Sequence, residues 1–564
     1  MEMQVANEWW QNEVIYQIYP MSFQDSNGDG IGDIPGIISR LDYLAEMGIT
    51  MIWLSPVYQS PMVDNGYDIS NYQAVNPIFG TLEDLEELIR QAQVRHIKIM
   101  LDLVVNHTSD QHPWFKAALA DPKSKYHDYY IFKPGQGVGG EKAPNNWRSN
   151  FGNGSSWTKV SDRNEWYHHV FSPQQPDLNW ENPALRQAIY DMITWWLKKG
   201  IAGFRVDAIT FIKKDQDFAD ITPDGNDGLG KVKRKAENRP GIADFLQELN
   251  ATTFAPYGAV TVGEASGVPY EEYDEFIGAN GYFSMIFDFH YADIDIYSGS
   301  EMYKQRPWSI KEWRDRIFKS QLAIQKVGWG ANFLENHDQP RSVSKFIKDP
   351  VWRNYYGATS LGVLYFFLRG TPFIYQGEEI GMENASRQGM NEFNDISTHN
   401  NYDRARAEGW SADEALAAVN KRSRDNARTP MQWNASPQCG FTTGIPWLAP
   451  AGNQPEHNVL DEQVDQRSTL NFYKAMIQLH YHSRWATTLT TGMFEPVLDT
   501  PDSVIAYRRV DREHDLLIMV NLSSQVQAIN VEGGPILLTN WDPTLVKPGI
   551  LQPYQALVME RKHG

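Results

Sequence analysis

The sequence predicts an α/β protein: a (β/α)8 TIM barrel with an irregular insertion domain after the third strand and a C-terminal antiparallel β-sandwich domain. Strand and helix signals alternate through most of the 564 residues. Three apolar segments each end in a carboxylate, at Asp207, Glu264 and Asp338. After about residue 485 the pattern changes to short alternating strands separated by turns. Because a barrel brings the ends of its strands to one face, the three carboxylates are expected to meet there.

Eight apolar runs of strand length account for the barrel. Such runs are typical of strands that are buried on both faces, and helical patterns over 82–93 and 183–199 separate some of them. The helix at 82–93 has acidic residues near its start, which favours that end as its N-terminus. The predicted strands cover residues 14–20, 51–54, 97–105, 203–208, 259–264, 283–289, 331–336 and 372–376.

The domain boundaries follow from where this alternation stops and resumes. Residues 107–177 are rich in Gly, Asn, Ser and Pro, and we interpret them as the insertion domain. The barrel is then expected to comprise residues 1–106 and 178–480, including a long polar segment after the eighth strand with a helix at 412–424. The C-terminal domain is expected to span 481–564, with strands at 504–509, 515–521 and 556–560.

Composition excludes several partner classes. A net charge of −19 argues against nucleic acid or an anionic membrane surface as a partner, because both need a basic face. No run of about 18 apolar residues is present, so no membrane-spanning helix is expected. The first 17 residues lack the basic start and apolar run of a secretion signal. With a single cysteine, Cys439, no internal disulfide can form, and we expect a cytoplasmic protein. A small neutral substrate suits this balance, and the oligomeric state stays open.

The three carboxylates predict the chemistry. Asp207 ends the segment GFRVDA (203–208), where Arg205 lies two residues earlier on the same strand face and is expected to hold Asp207 ionised. Glu264 lies in the apolar segment VTVGEA (260–265), a context that suits a general acid. Asp338 follows His337 in FLENHD (333–338), where it can stabilise a positively charged transition state. Carboxylates in twos and threes are the groups that cleave glycosidic bonds.

These segments, taken in order, resemble the α-amylase superfamily, glycoside hydrolase family 13. DLVVNH (102–107), GFRVDA, VGEA (262–265) and FLENHD match its four signature regions. QPDLN (175–179) is similar to a marker of the oligo-1,6-glucosidase and α-glucosidase branch. The resemblance covers essentially the whole chain and implies a retaining, exo-acting α-glucosidase. Its expected substrates are short α-glucosides, isomalto-oligosaccharides and related α-1,6 or mixed α-1,6/α-1,4 compounds, cut from the non-reducing end.

The resemblance also implies a role for each site residue. Asp207 is expected to be the nucleophile, Glu264 the acid/base and Asp338 the stabiliser of the transition state. A second group is expected to bind the glucose that is cut off or to close the pocket behind it, and an Asp64–Arg428 ion pair would exclude longer chain ends. This group comprises Asp64, Tyr67, His107, Arg205, His337 and Arg428.

An acidic loop, DSNGDGIGD (25–33), predicts a structural Ca²⁺ site. Its oxygen donors fall at positions 1, 3, 5 and 9 of a calcium loop, with Gly30 at the position of the sharp turn. The twelfth position is Gly36 instead of Glu, so the loop is not an EF-hand. The resemblance adds a backbone carbonyl as a further ligand. The expected ligands are Asp25, Asn27, Asp29, Ile31 and Asp33.

Three alternatives to the main interpretation stay open on the sequence. Ala208 follows the nucleophile where the resemblance associates Val with α-1,6 bonds, so a maltase or an α-glucosidase active on sucrose or its isomers is one alternative. A sucrose isomerase is a second, but the stretch 295–309 has Arg306 as its only arginine where those enzymes are arginine-rich. A catalytically silent partner of a membrane transporter is a third. The retained carboxylates and the missing apolar helix argue against it.

Overall fold

The computed structural model describes residues 8–151, 154–297, 301–530 and 534–561. Eight parallel strands close into a barrel in sequential order, with β1 hydrogen-bonded to β8. The predicted (β/α)8 barrel is therefore confirmed. The strands are β1 (Ile15–Ile18), β2 (Met51–Leu54), β3 (Lys98–Val104), β4 (Gly203–Asp207), β5 (Val260–Gly263), β6 (Met285–Phe287), β7 (Gly330–Asn332) and β8 (Thr371–Tyr375).

Most strands are shorter than the apolar runs that predict them. The sixth run spans seven residues, but the strand has only Met285–Phe287. The flanking residues Phe283 and Phe289 still pack on the core, because burial extends past the hydrogen-bonded ladder into the turns. Gly203 is needed at the start of β4, since a Cβ there would lie 1.8 Å from the carbonyl oxygen of Val260.

The helices surround the barrel and begin with identifiable caps. Thr81 and Asp84 form a capping box at the start of Leu82–Val94, and Asn182 caps Pro183–Leu197, which has Pro at its first position. Each buries one apolar face against the strands. The other principal helices are Ile34–Ser39, Leu41–Met47, Pro113–Ala120, Ile242–Leu249, Ile310–Val327, Ser342–Phe346, Tyr355–Phe366, Ile396–Ala407, Ala412–Arg422, Val459–Val464, Thr469–His482 and Ala486–Thr491.

The segment between β3 and helix Pro183–Leu197 lies over the carboxyl ends of the strands. It contains helix Pro113–Ala120 and a small antiparallel sheet of Phe132–Lys133, Trp157–Lys159 and Trp166–His168. Two short 3-10 helices and the strand Trp147–Arg148, which pairs with Gly230–Lys231, are its other regular elements. The rest is irregular, as its composition predicts. A bridge between His107 and Asp177 ties the two ends of the segment together at the mouth of the barrel.

The C-terminal region forms an antiparallel sheet, as predicted. Its five strands lie side by side in the order Met493–Pro496, Val504–Val510, Asp515–Asn521, Ala556–Glu560 and Ile536–Thr539, and a separate two-stranded sheet joins Gln527–Ala528 to Ile550–Leu551. Buried Arg509 donates to the carbonyls of Phe367, Thr490 and Gly492, which fastens the sheet to the barrel's outer helices. The strands are β9 (Met493–Pro496), β10 (Val504–Val510), β11 (Asp515–Asn521), β12 (Ile536–Thr539) and β13 (Ala556–Glu560).

Two further expectations concern membranes and the cysteine. Within the described residues, no helix combines the length and apolar character needed to cross a membrane. Cys439 is buried and carries a free thiol.

Candidate active site

The three predicted carboxylates line one cavity of about 250 Å³ at the carboxyl end of the barrel. Asp207 is the last residue of β4, Glu264 follows β5 directly, and Asp338 lies on the turn after β7. Six of the nine predicted site residues line the cavity, and it also takes residues from the insertion and from the segment after β8. The lining residues are Asp64, Tyr67, His107, Asn150, Phe151, Phe171, Asp207, Ala208, Phe211, Lys233, Glu264, Ser266, Asp338, Ser397 and Arg424.

The guanidinium of Arg205 bridges the carboxylates at the floor of this cavity. Its Nη1 lies 2.6 Å from Asp207 Oδ1 and 2.9 Å from Asp102 Oδ1, and its Nη2 lies 2.9 Å from Glu264 Oε2. The backbone N–H of Ala208 also donates to Glu264 Oε2, at 2.8 Å. The expected apolar setting of Glu264 is thus wrong, because one of its oxygens meets a cation and a backbone donor. The carboxyl groups of Asp207 and Glu264 therefore lie around one positive charge, the guanidinium of Arg205.

Asp102 is a member of this cluster that sequence reasoning missed. It is fully buried on β3 and accepts hydrogen bonds from Trp53 and Tyr67 as well as Arg205. Burial raises the pKa of Asp102 to about 6, against the opposing charge of Arg205. The available signal was its place in DLVVNH on a buried strand, where a charged side chain is costly unless it is paired.

The charge balance of the cluster differs from the expectation that Arg205 simply holds Asp207 ionised. Burial and the negative charges of Glu264 and Asp102 raise the pKa of Asp207 above its usual value, and Arg205 opposes them. Three carboxyl groups therefore share one guanidinium. A set with this balance retains a proton more readily than three isolated acids, because like charges at close range disfavour full ionisation.

The imidazole ring of His337 is buried beside the carboxylates, and each of its two nitrogens has a hydrogen-bond partner. Its Nε2 lies 2.5 Å from the hydroxyl of Tyr67, and its Nδ1 lies 2.8 Å from Nε2 of Gln17. The ring stacks on Tyr67 and Tyr19, with interplanar angles of 6° and 17°. Burial lowers the pKa of His337 to about 3, so the ring is uncharged at neutral pH.

Asp338 is held ionised by two arginines. Burial opposes its charge, but Arg428 Nη2 at 2.7 Å and Arg424 Nη1 at 3.5 Å hold the pKa of Asp338 well below its usual value. Its side chain keeps 32% exposure, more than Asp207 or Glu264. Asp338 therefore presents a permanent negative charge to the cavity.

The predicted Asp64–Arg428 ion pair is wrong in its arginine. Asp64 Oδ1 lies 2.7 Å from Nη2 of Arg424, and that guanidinium is fixed from behind by Asp395 at 2.7 Å. Arg428 instead contacts Asp338 and donates its Nε to the carbonyl of His337. Both arginines lie in RDNART (424–429), and the sequence gives no sign of which one faces Asp64. Asp395, the N-cap of helix Ile396–Ala407, decides it.

His107 completes the wall beside Asp64. Its Nε2 lies 3.1 Å from the carbonyl oxygen of Tyr67, and its ring meets Phe171 of the insertion edge-on. Gln175, from the segment QPDLN, donates to Asp64 Oδ2 at 3.0 Å. Burial lowers the pKa of His107. The cavity wall at Asp64 is thus built from hydrogen-bonding groups of β3, the insertion and the segment after β8.

The comparisons with known proteins agree with this geometry. The family model for the alpha amylase catalytic domain matches residues 17–488. The chain belongs to the α-amylase family. It is 41% identical to an oligo-1,6-glucosidase of Halalkalibacterium halodurans, over 95% of this chain and 96% of the relative. It is 40% identical to a glucan 1,6-alpha-glucosidase of Streptococcus pneumoniae, over 99% of this chain and 100% of the relative.

Solved structures of the family superpose closely on the chain. An isomaltulose synthase from Klebsiella sp. LX3 gives a TM-score of 0.92 at 38% identity, and the match covers 98% of this chain and 99% of that one. The superposition includes the barrel, the insertion and the C-terminal sheet. The chain and this synthase therefore share one architecture.

The acidic loop at 25–33 lies on the turn after β1 and contributes no residue to the cavity. Asp25 accepts N–H bonds from Asn27, Gly28 and Gly30, while Asp33 caps helix Ile34–Ser39. Its donors are all oxygen, which fits the chemistry of Ca²⁺. In the described part of the chain, however, no three His, Cys, Asp or Glu side chains converge as a ready-made metal cage. The calcium site stays a prediction.

We expect Asp102→Asn to move the acidic limb of the kcat/KM pH profile to lower pH. The change removes a negative charge beside Asp207, which lowers the pKa of Asp207, and this carboxylate must be ionised to react. The measurement is kcat/KM for an aryl α-glucoside from pH 4 to pH 9. Asp110→Asn, in the insertion and outside the cavity lining, is the control. An acidic limb that stays in place or moves to higher pH contradicts the shared-charge account.

Proposed function

We propose that the protein is a retaining, exo-acting α-glucosidase. It hydrolyses short α-glucosides from the non-reducing end, isomalto-oligosaccharides and related α-1,6 or mixed α-1,6/α-1,4 compounds. The observation that carries this proposal is the pair of carboxyl groups, Asp207 and Glu264, bound to one Arg205 guanidinium in a cavity whose wall includes the Asp64–Arg424 ion pair. The similarity to an oligo-1,6-glucosidase and a glucan 1,6-alpha-glucosidase supports the substrate class.

The mechanism follows from the position of each group. Asp207 attacks the anomeric carbon while Glu264 protonates the glycosidic oxygen, which gives a covalent glucosyl–enzyme and releases the leaving sugar. Glu264, now ionised, takes a proton from water, which attacks the same carbon from the side of the departed group and restores the α configuration. Carboxyl groups about 5–5.5 Å apart suit this double displacement. Asp338, permanently ionised, stabilises the oxocarbenium-like transition state of both steps.

The closed end of the cavity supports exo action. The Asp64–Arg424 pair, backed by Asp395, offers charged hydrogen-bonding groups to the hydroxyls of a terminal glucose and leaves no passage for a longer chain end. A second cavity of about 400 Å³ adjoins the first and shares Asn150, Lys233, Ser266 and Ser397 with it. This second cavity gives room for the leaving sugar. Starch is accordingly expected to be a poor substrate.

The decisive experiment follows products from isomaltose, isomaltotriose, panose, maltose and sucrose by chromatography, with the anomer formed first identified by NMR. We expect α-glucose first, and Asp207→Asn and Glu264→Gln each to lose roughly 10³-fold or more in kcat. Asp217→Asn, an exposed carboxylate paired with Lys235, is the matched control. β-Glucose as the first product contradicts the retaining mechanism. Isomaltulose as the main product from sucrose contradicts the proposed hydrolase and indicates a sucrose isomerase instead.

Position 208 is expected to influence linkage preference. Ala208 lines the cavity directly after Asp207, so Ala208→Val adds bulk next to the bond being cut and depresses maltose cleavage more than isomaltose cleavage. A change of this size is worth about 1–3 kcal/mol, so the ratio of the two kcat/KM values shifts by roughly 10- to 200-fold at most. The ratio is the measured quantity because it cancels any loss of folded enzyme.

That cancellation matters because Ala208 has φ 42° and ψ 34°, a left-handed conformation that strains a β-branched residue. Thermal unfolding should show Ala208→Val destabilised. Ala208→Gly, which relieves the backbone and adds no bulk, is the control. If Ala208→Val leaves the ratio unchanged, position 208 does not distinguish the two linkages.

We also propose a structural Ca²⁺ in the loop 25–33. Asp25, Asn27, Asp29, the carbonyl of Ile31 and Asp33 would hold it, and the ion would add stability without entering the reaction. At a concentration 100-fold above Kd it would contribute about 2.7 kcal/mol to the free energy of unfolding. Thermal melts in Ca²⁺ and in a chelator test this. Asp29→Ala, at an exposed donor, should abolish the difference. Identical melting temperatures in both solutions contradict the site.

A further inference from the structure

Lys214 is a buried lysine next to, but not in, the candidate active site. It lies on the loop after β4 with 1% exposure, and lysine is almost never buried without a partner. Its Nζ lies 2.9 Å from Asp177 Oδ2 and 2.8 Å from Asn106 Oδ1, and both partners are fully buried. Nζ is thus bound to one residue of the insertion and one at the end of β3.

The ammonium group fixes the orientation of the Asn106 amide. An ammonium is a donor and never an acceptor, so the atom of Asn106 that faces Lys214 is the oxygen. The amide nitrogen then points the other way, 3.2 Å from Asp177 Oδ1 and 3.2 Å from Nδ1 of His107. Asp177 Oδ1 accepts a hydrogen bond from this nitrogen, which is consistent with the same orientation.

The Asn106 amide in turn fixes the tautomer of His107. Because a donor faces Nδ1, that nitrogen is unprotonated, and the proton of the neutral ring lies on Nε2, where the carbonyl oxygen of Tyr67 accepts it at 3.1 Å. Gln175 Nε2 also lies 3.2 Å from His107 Nε2, but it donates to Asp64 Oδ2 at 3.0 Å. The Nε2–H tautomer satisfies two of these three contacts to His107, whereas the Nδ1–H tautomer satisfies one.

We infer that Lys214 is a positioning residue: together with Asp177 and through Asn106 it holds His107 as the Nε2–H tautomer, so that the N–H accepted by the Tyr67 carbonyl lies at the cavity wall, where a hydroxyl of the bound glucose can share it. This inference rests on the proposed function, because it takes His107 as a ligand of the sugar. It assigns to the buried pair of Lys214 and Asp177 a role in substrate binding beyond joining the insertion to the barrel.

A change at both Lys214 and Asp177 releases the constraint. Asp177 Oδ1 accepts a hydrogen bond from the Asn106 amide nitrogen, so an ionised Asp177 opposes a turned-over amide even without the ammonium. In the double variant Lys214→Met/Asp177→Asn, which removes both charges together, the Asn106 amide can turn over and present its oxygen to Nδ1, which favours the opposite tautomer. Lys214→Met alone leaves Asp177 paired with His168, whose Nδ1 lies 3.0 Å from Asp177 Oδ2.

The test combines nitrogen NMR with kinetics on full-length protein. With ¹⁵N-labelled histidine, the His107 signals are those that His107→Gln removes. Wild type should show an unprotonated Nδ1 and a protonated Nε2. In the double variant the Nδ1–H form should appear, with kcat/KM for isomaltose lowered roughly 10- to 100-fold, the scale of a misplaced binding group. Lys214→Met alone, which keeps Asp177, should show a smaller change in the same direction. Lys213→Met, whose partner Glu181 lies outside the cavity, should change neither.

The outcomes separate the inference from the proposed function. If His107→Gln leaves kcat/KM unchanged, His107 does not bind the sugar and that part of the proposed function fails. If His107→Gln lowers kcat/KM but wild-type His107 is protonated on Nδ1, the inference is overturned. It is also overturned if both Lys214 variants keep the wild-type tautomer and kcat/KM and lose only thermal stability, since that is the result of a merely structural ion pair.

Discussion

One guanidinium shared by three buried carboxyl groups is the constraint on which the rest of the site depends. Arg205 contacts Asp102, Asp207 and Glu264, and without it the floor of the cavity would carry uncompensated negative charge. Burying charges in this way is costly unless they are paired. Parallel strands with adjacent ends satisfy the requirement, because β3, β4 and β5 deliver one carboxyl group each within reach of the same side chain. The register of the barrel strands therefore also determines the electrostatics of the cavity.

A second level of organisation keeps the cavity closed. Arg424 and Arg428 lie one turn apart, yet they serve different carboxylates, Asp64 and Asp338. Asp395 holds Arg424 against Asp64 from outside the cavity, and its own place is fixed by its role as a helix cap. The geometry at the sugar thus depends on a helix that touches the cavity only at Ser397. The same dependence on remote residues recurs at Lys214, which does not line the cavity and acts on its wall through Asn106 and His107.

Sequence reasoning predicted the barrel and the residues that end its strands, because both leave local signals. A carboxylate at the end of an apolar run is visible without any knowledge of contacts. Asp102 was missed although it lies in the segment DLVVNH, since an acid within a strand shows no sign of an arginine 103 residues later on the neighbouring strand. The Asp64 partner was assigned to Arg428 instead of Arg424 for a related reason. Which arginine turns inward is decided by Asp395, about thirty residues earlier, and nothing local to 424–429 encodes it.

The closure of the barrel has a consequence for how the protein is made. β1 pairs with β8, so the strand of Ile15 has no neighbour on that side until Phe373 has been synthesised. Asp64 likewise has no Arg424 to pair with until 360 more residues have been added. A ribosome adds roughly 5–20 residues each second, so the early strands spend tens of seconds with an unpaired edge. During translation the growing chain therefore holds an incomplete sheet with exposed apolar surface. A complete active site can form only after nearly all of the barrel has left the exit tunnel.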